Sequence, residues 1–256
     1  MAKEDAETHL AKFIRDQVEA AGAKGAVLGI SGGLDSATVA FLAVRALGKD
    51  RVLGLLLPEA GVTPKEDVED ARKVASILGI EAEEIDISQV LRSYFSVLPA
   101  EAAPAVVNGN LKARVRMTIL YWHANLLHRL VLGTGNKTEV MLGYSTKFGD
   151  AAADIFPIAG LYKDEVRDLA RRLGVPGRII DKAPTAGLWP GQTDEVELGI
   201  SYQDANAILR GLEAGRSRSD LAAEFGREKL VLVEGRIAAG RHKRELPPTP
   251  KIRSNY

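Results

Sequence analysis

The stretch Gly29-Ile30-Ser31-Gly32-Gly33-Leu34-Asp35-Ser36 constrains the fold more than any other part of this 256-residue chain. Before it lies a short apolar run, residues 26–30, of the kind a buried parallel strand needs. After it, residues 37–47 carry apolar side chains at helical spacing and stop at Gly48, a good helix terminator. Between strand and helix, two glycines let the backbone approach a ligand closely, and Ser31 and Ser36 add hydroxyl groups. The helix N-terminus contributes unpaired N–H groups and a positive dipole end, which together suit an anion. Asp35 suits such a cradle only with a cation between its carboxylate and the anion. That combination points to a nucleotide with magnesium.

Three motif readings compete for the segment. A Walker A loop needs a lysine after its glycines, and none follows here. Gly29-Ile30-Ser31-Gly32-Gly33 matches the G-x-S-x-G nucleophile elbow, and the order Ser31, Asp154, His242 permits a serine hydrolase. The third pattern is S-G-G-x-D-S, by which the segment resembles the pyrophosphate-binding loop of the ATP pyrophosphatase (PP-loop) family. That resemblance implies a loop that holds leaving pyrophosphate while ATP adenylates a substrate oxygen.

Along the chain, helices are expected at residues 4–21, 36–47, 64–78 (Thr63 as cap, Pro64 at its first position) and 108–128. Strands are expected at 26–30, 52–57, 84–87 and 129–133, with Ser88 capping a further helix. This alternation implies an α/β fold, a doubly wound, mainly parallel sheet with helices on both faces. Ligands of such sheets bind beyond the carboxyl ends of the strands, where both Gly-rich turns fall. Beyond about residue 181 the strand signals fade, and residues 204–212, 219–225 and 228–239 read as helices. The expectation is a single domain over residues 1–256, with a core sheet at about 24–180 and a helical C-terminal portion at about 181–245. The Pro- and Gly-rich stretches 97–107 and 187–194 are candidate lids. Lysine plus arginine equals aspartate plus glutamate, 34 each, so no global field favours nucleic acid or an anionic membrane. With no long apolar run and no signal-like apolar core, a cytoplasmic protein is expected.

A second strand, turn and helix start occupies residues 129–139, ending Gly133-Thr134-Gly135-Asn136-Lys137-Thr138-Glu139. Glu139 in a first helical turn offsets the dipole, and beside Asp35 it would complete an oxygen-rich magnesium site. Here the resemblance becomes specific. GISGGLDSA (29–37), GNLKARVRM (109–117), LVLGTGNKTE (130–139), GYSTKFGDAAADIFPI (143–158), LYKDEVRDLA (161–170), KAPTAGLWPGQTDEVELGISY (182–202) and HKRELPP (242–248) resemble, in order, the ammonia-dependent NAD+ synthetase family.

The resemblance implies an adenine nucleotide alpha hydrolase-like fold. It implies a ligase that amidates nicotinic acid adenine dinucleotide (deamido-NAD) with ATP and ammonia, through an acyl adenylate, releasing AMP and pyrophosphate. By the same resemblance Gly29, Ile30, Ser31, Gly32, Gly33, Leu34, Asp35 and Ser36, with Thr134, Lys163 and Thr185, hold ATP. Asp35 and Glu139 bind Mg2+, and Asp35 and Lys163 carry the catalysis. Arg114, Lys147, Asp154, His242 and Lys243 hold deamido-NAD. The helix bearing Trp122 joins a homodimer near whose interface the two active sites lie. A different PP-loop adenylating enzyme is the alternative within this class.

The chain has no cysteine, which removes thiolate nucleophiles and with them a cysteine-based glutaminase. Nitrogen would arrive as ammonia, free or from a separate glutaminase. Read without the family, Arg114 and Arg116 are a solvated helix face, and His123 and His128, five apart, do not make a metal pair. One departure is notable: Ala151-Ala152-Ala153 stands where family members commonly carry glycines. Alanine resists positive φ, so a glycine-specific turn, and the Asp154 contact that depends on it, would be altered here.

Overall fold

The computed structural model describes residues 3–99 and 102–250. Four parallel strands form one sheet: β1 (Ala26–Gly29), β2 (Val52–Leu56), β3 (Glu81–Glu84) and β4 (Leu130–Val131), in the order β3-β2-β1-β4. Val27 pairs with Leu53 on one side and Val131 on the other. The sheet therefore grows outward from β1 in both directions. The doubly wound expectation holds, with the switch point between the carboxyl ends of β1 and β4.

Alternate strand residues bury against different helical layers, because successive side chains point to opposite faces. Leu28, Val52 and Leu56 join the core formed with α1 (Lys3–Ala20), α2 (Leu34–Leu47), α3 (Lys65–Leu78) and the later helices α7 (Lys163–Leu173) and α8 (Gly177–Ile180). Val27, Leu53 and Leu55 pack instead with α4 (Ser88–Phe95) and α5 (Ala105–Leu127). The short α6 (Lys137–Leu142) follows β4. The helices α9 (Asp194–Leu198), α10 (Tyr202–Glu213), α11 (Arg218–Phe225) and α12 (Arg227–Ala239) share a third apolar cluster with Leu142 and Tyr162, and α13 (Arg241–Arg244) ends the run.

Four local expectations need correction. The third strand is residues 81–84 rather than 84–87. It is a Glu-rich edge strand with every residue exposed, a composition that blunts an unpaired edge. The apolar Ile85 and Ile87 that suggested the later span lie beyond it, and Ile87 is fully buried. Ser88 does not cap α4. It is the first helical residue, and Asp86 accepts both its N–H (2.9 Å) and its hydroxyl (2.6 Å), which holds the Asp86 carboxyl below its ordinary range. Likewise Pro64 itself stands at the cap of α3, while Thr63 Oγ1 accepts from the Glu59 N–H. Helix α5 begins at Ala105, three residues earlier than expected, straight after Pro104.

Candidate active site

The turn from β1 into α2 is closed by its own serines. Ser31 N–H donates to Ser36 Oγ (3.1 Å), Gly33 N–H donates to Ser31 Oγ (3.2 Å), and Ser36 Oγ donates to the Gly33 carbonyl (3.1 Å). Gly33 caps α2 without a side chain, so the first N–H groups of this 14-residue helix point to the cavity ahead. That cavity, about 620 Å³, runs over the switch point and is lined by the loop together with Thr134, Glu139, Lys163, Thr185 and Lys243. The volume suits a nucleotide-sized ligand.

At its floor the side chains from three elements meet. Asn136 and Glu139 form a reciprocal capping box at the start of α6, Glu139 N–H to Asn136 Oδ1 at 3.1 Å and Asn136 N–H to Glu139 Oε2 at 3.3 Å. The box leaves Glu139 Oε1 to partners on the side of Asp35, the second residue of α2. The Lys163 ammonium, buried at the start of α7, donates to Asp35 and to Glu139 Oε1 (3.3 Å). Asn136 Nδ2 also reaches Asp35 (3.3 Å). Burial, reinforced by Asp35, pushes Glu139 up to about 7 against the pull of Lys163. Burial works against the Lys163 charge too, but Asp35 and Glu139 overcome it and hold the ammonium above its ordinary range.

The sign of the Glu139 shift makes a prediction. A carboxyl raised in the folded state stabilises most below its unfolded value of 4.5 and loses that contribution as pH rises through about 7. In nucleotide-free protein, the melting temperature of wild type should therefore fall relative to Glu139→Gln between pH 5 and 8, whatever their constant offset. Parallel melting curves across that range would overturn the assignment of the shift.

The NAD synthase family model matches residues 7–247. The chain belongs to the NAD synthase family. The NH3-dependent NAD+ synthetase of Methanosarcina acetivorans is 50% identical over 252 residues, 97% of this chain and 98% of its own. Among solved structures, an NMN synthetase from Francisella tularensis aligns at a TM-score of 0.86 with 36% identity, covering 98% of this chain and 100% of its own. The NH3-dependent NAD synthetase from Campylobacter jejuni aligns at 0.84 with 31% identity and the same coverage.

Ten of the eleven expected ATP residues line this cavity: the loop apart from Gly32, together with Thr134, Lys163 and Thr185. The five expected dinucleotide residues are not gathered in the same way. Lys243 lines the cavity and donates to the carbonyls of Gly143 (2.7 Å) and Ser145 (2.6 Å). Arg114 is exposed on α5 and donates to the Lys147 carbonyl (3.1 Å), outside the cavity lining. His242 is exposed on α13. Asp154 accepts from the Val131 N–H (2.7 Å) and the Tyr121 hydroxyl (3.3 Å), and burial with this carboxylate pushes Tyr121 up to about 12. The Ser31–Asp154–His242 triad is thus not formed: the Ser31 hydroxyl is tied to Ser36 and Gly33. As expected for the triple-alanine loop, no glycine-specific turn forms there: none of residues 149–154 has positive φ, and the left-handed position falls on Phe148 (φ 61°).

No local sequence pattern marks a second tier of polar side chains around this candidate site. Tyr202 Oη lies 3.0 Å from Asp194 Oδ2 and 3.3 Å from Glu139 Oε1, with its ring beside the Lys163 ammonium (5.1 Å). Tyr144 donates between Asp194 (3.0 Å) and Glu197 (2.6 Å). Burial raises Asp194 above its ordinary range, and burial among carboxylates raises both tyrosines. Arg116, not Arg114, turns inward and donates to the Leu57 carbonyl (2.9 Å) at the cavity wall.

Proposed function

We propose that this chain forms NAD+ from nicotinic acid adenine dinucleotide, ATP and ammonia, with the roles that follow. The observation that carries the reading is the Lys163 ammonium held between Asp35 and Glu139 at the mouth of a phosphate-type loop, at the sheet's switch point. The nicotinate carboxylate attacks the α-phosphorus, the bond to pyrophosphate breaks, and ammonia then displaces AMP from the acyl adenylate. Ser31, Ser36 and the α2 N–H groups hold the departing pyrophosphate, and Lys163 follows the charge as it develops there. Thr134 and Thr185 flank the nucleotide, and Arg114, Lys147, Asp154, His242 and Lys243 hold the dinucleotide. No side chain is covalently modified, so positioning and charge stabilisation do the catalytic task.

Asp35 and Glu139 fit a magnesium ion that arrives with ATP. Their oxygens already converge on one cation, the Lys163 ammonium. Among the described residues no group of three acidic or imidazole side chains offers an all-protein cage, so phosphate oxygens and water would complete the shell. When bound, the ion would neutralise charge on the pyrophosphate.

AMP release measured with ATP, Mg2+ and ammonium, with and without the dinucleotide, tests the function. AMP should appear only with the dinucleotide, in step with NAD+, and be lost in Asp35→Ala. A parallel arm with nicotinic acid mononucleotide is warranted by the Francisella tularensis likeness. Faster turnover of the mononucleotide would overturn the dinucleotide assignment.

The reading includes a homodimer through α5, supported by Trp122 and Leu126, each 60% exposed one turn apart on that helix. Sedimentation at micromolar concentration giving the 27.5 kDa monomer would refute it. It also includes a cytoplasmic location, with ammonia supplied free or by a separate glutaminase. Among the described residues no helix is long and apolar enough to cross a membrane. Recovery with the membrane fraction would count against that location.

A further inference from the structure

A second ammonium, half-buried, faces the cavity, and the roles above leave it unused. Lys182 donates to Asp67 Oδ1 (2.6 Å) and Asp70 Oδ2 (2.6 Å), both on α3, and its Nζ lies 3.4 Å from the Gly32 carbonyl of the phosphate loop. Asp70 is almost fully buried and is shared with Arg178 (3.0 Å), which also donates to the Glu66 carbonyl (3.4 Å). Two carboxylates thus face two cations, so the cluster is neutral as a whole. Burial works against the Lys182 charge, but the bonds to Asp67 and Asp70 more than offset it. One ammonium therefore joins three separate segments. These are the loop through Gly32, the first two turns of α3, and the irregular segment that carries Thr185 three residues further on.

The geometry of the loop explains what such a joint would do. Gly32 sits against the Asp67 carbonyl so closely that a Cβ there would come within 2.1 Å of it. At Gly32 the loop therefore rests directly on the α3 backbone, while Ile30 and Leu34 on either side share the apolar core with Ala71 and Val74. Hydrogen bonds within the loop, through Ser31, Gly33 and Ser36, fix the internal shape of its polar tip but do not tie that tip to α3 or to Thr185. Lys182 is the group that spans all three.

We propose that Lys182 is a positioning residue that pins the phosphate loop to α3 and to the Thr185 segment, setting ATP affinity without touching the dinucleotide. The proposal rests on the reading of this cavity as the ATP site. Loss of a half-buried, charge-assisted bond that orders a ligand loop is about a tenfold effect on binding.

The test is calorimetric binding of ATP with Mg2+, in the absence of the dinucleotide, well below each variant's melting temperature. Lys182→Met should weaken ATP binding about tenfold and leave dinucleotide binding within about twofold. Lys182→Arg, which keeps a cation able to span two carboxylates, should recover most of the loss. In turnover, the KM for ATP should rise more than kcat falls. Asp67→Asn provides a second route should Lys182→Met fold poorly: it should weaken ATP binding, and the double variant should be no worse than the more affected single one. The pin is overturned if Lys182→Met binds ATP as wild type does, if ATP and dinucleotide binding fall together without rescue by arginine, or if the two substitutions act additively. Wild-type protein that binds no ATP would instead overturn the reading of the cavity itself.

Discussion

Gly32→Ala is expected to lower kcat/KM for ATP by at least a hundredfold while leaving a folded protein. Two independent costs coincide at this residue. Its φ of +77° lies in the left-handed region, which costs an L-residue about 1–2 kcal/mol. The added Cβ would also stand 2.1 Å from the Asp67 carbonyl oxygen and 2.9 Å from its carbon, both backbone atoms that no rotamer change can move. Relief needs the loop and α3 to separate by about 1 Å, and a misplacement of that size at a positioned ligand is worth about a hundredfold in rate. Gly33, the neighbouring glycine in the same motif, has neither problem: φ is −93°, and its nearest foreign atom is the Ser31 hydroxyl at 3.3 Å. Gly33→Ala should therefore cost far less than Gly32→Ala, and the contrast is the useful measurement. Equal losses in the two variants would mean that backbone freedom in general, and not the seating of Gly32 on α3, governs the loop.

How far the sequence reached can be judged at these same residues. The strand, turn and helix around Gly29–Ser36 were legible because a buried strand, two glycines and an apolar helical period lie within one short segment. Asp35 and Glu139 were legible as partners because each stands in the first turn of a helix after a Gly-rich strand end, and parallel neighbours bring such turns together. What stayed hidden was set by distance along the chain. Asp194 and Tyr202 face Glu139 from more than fifty residues away, and Lys182 reaches Asp67 and Asp70 from more than a hundred, with no local pattern to mark either. Arg114 and Arg116 show a subtler limit. Two residues apart on α5 they point about 200° away from each other, so one faces outward and the other the cavity. Helical phase was available to separate them, since Arg116 lies one turn from Ala113 and Leu120 on the cavity side. The third strand was shifted toward its apolar residues because an edge strand need bury none of its own.

Lys163→Met is expected to abolish turnover and, in nucleotide-free protein, to lower the melting temperature. Lys163 is 4% exposed, and its ammonium lies between two carboxylates that are themselves mostly buried. Removing one partner of a buried charge pair typically costs about 3–5 kcal/mol, because the remaining charges lose their compensation. A loss of stability alone would not distinguish a structural lysine from one that follows phosphate charge. Magnesium separates the two roles. With the ammonium gone, Asp35 and Glu139 form a more negative pair, so added Mg2+ should raise the melting temperature of Lys163→Met more than that of wild type. If Lys163 merely neutralised the carboxylates, the ion would restore activity along with stability. If the ammonium moves onto phosphate oxygens during the reaction, stability returns and turnover does not, because a cation held by the carboxylates cannot replace a charge carried on a flexible stem. Near wild-type AMP release by Lys163→Met at saturating Mg2+ would remove Lys163 from the catalytic group and leave it a counter-ion.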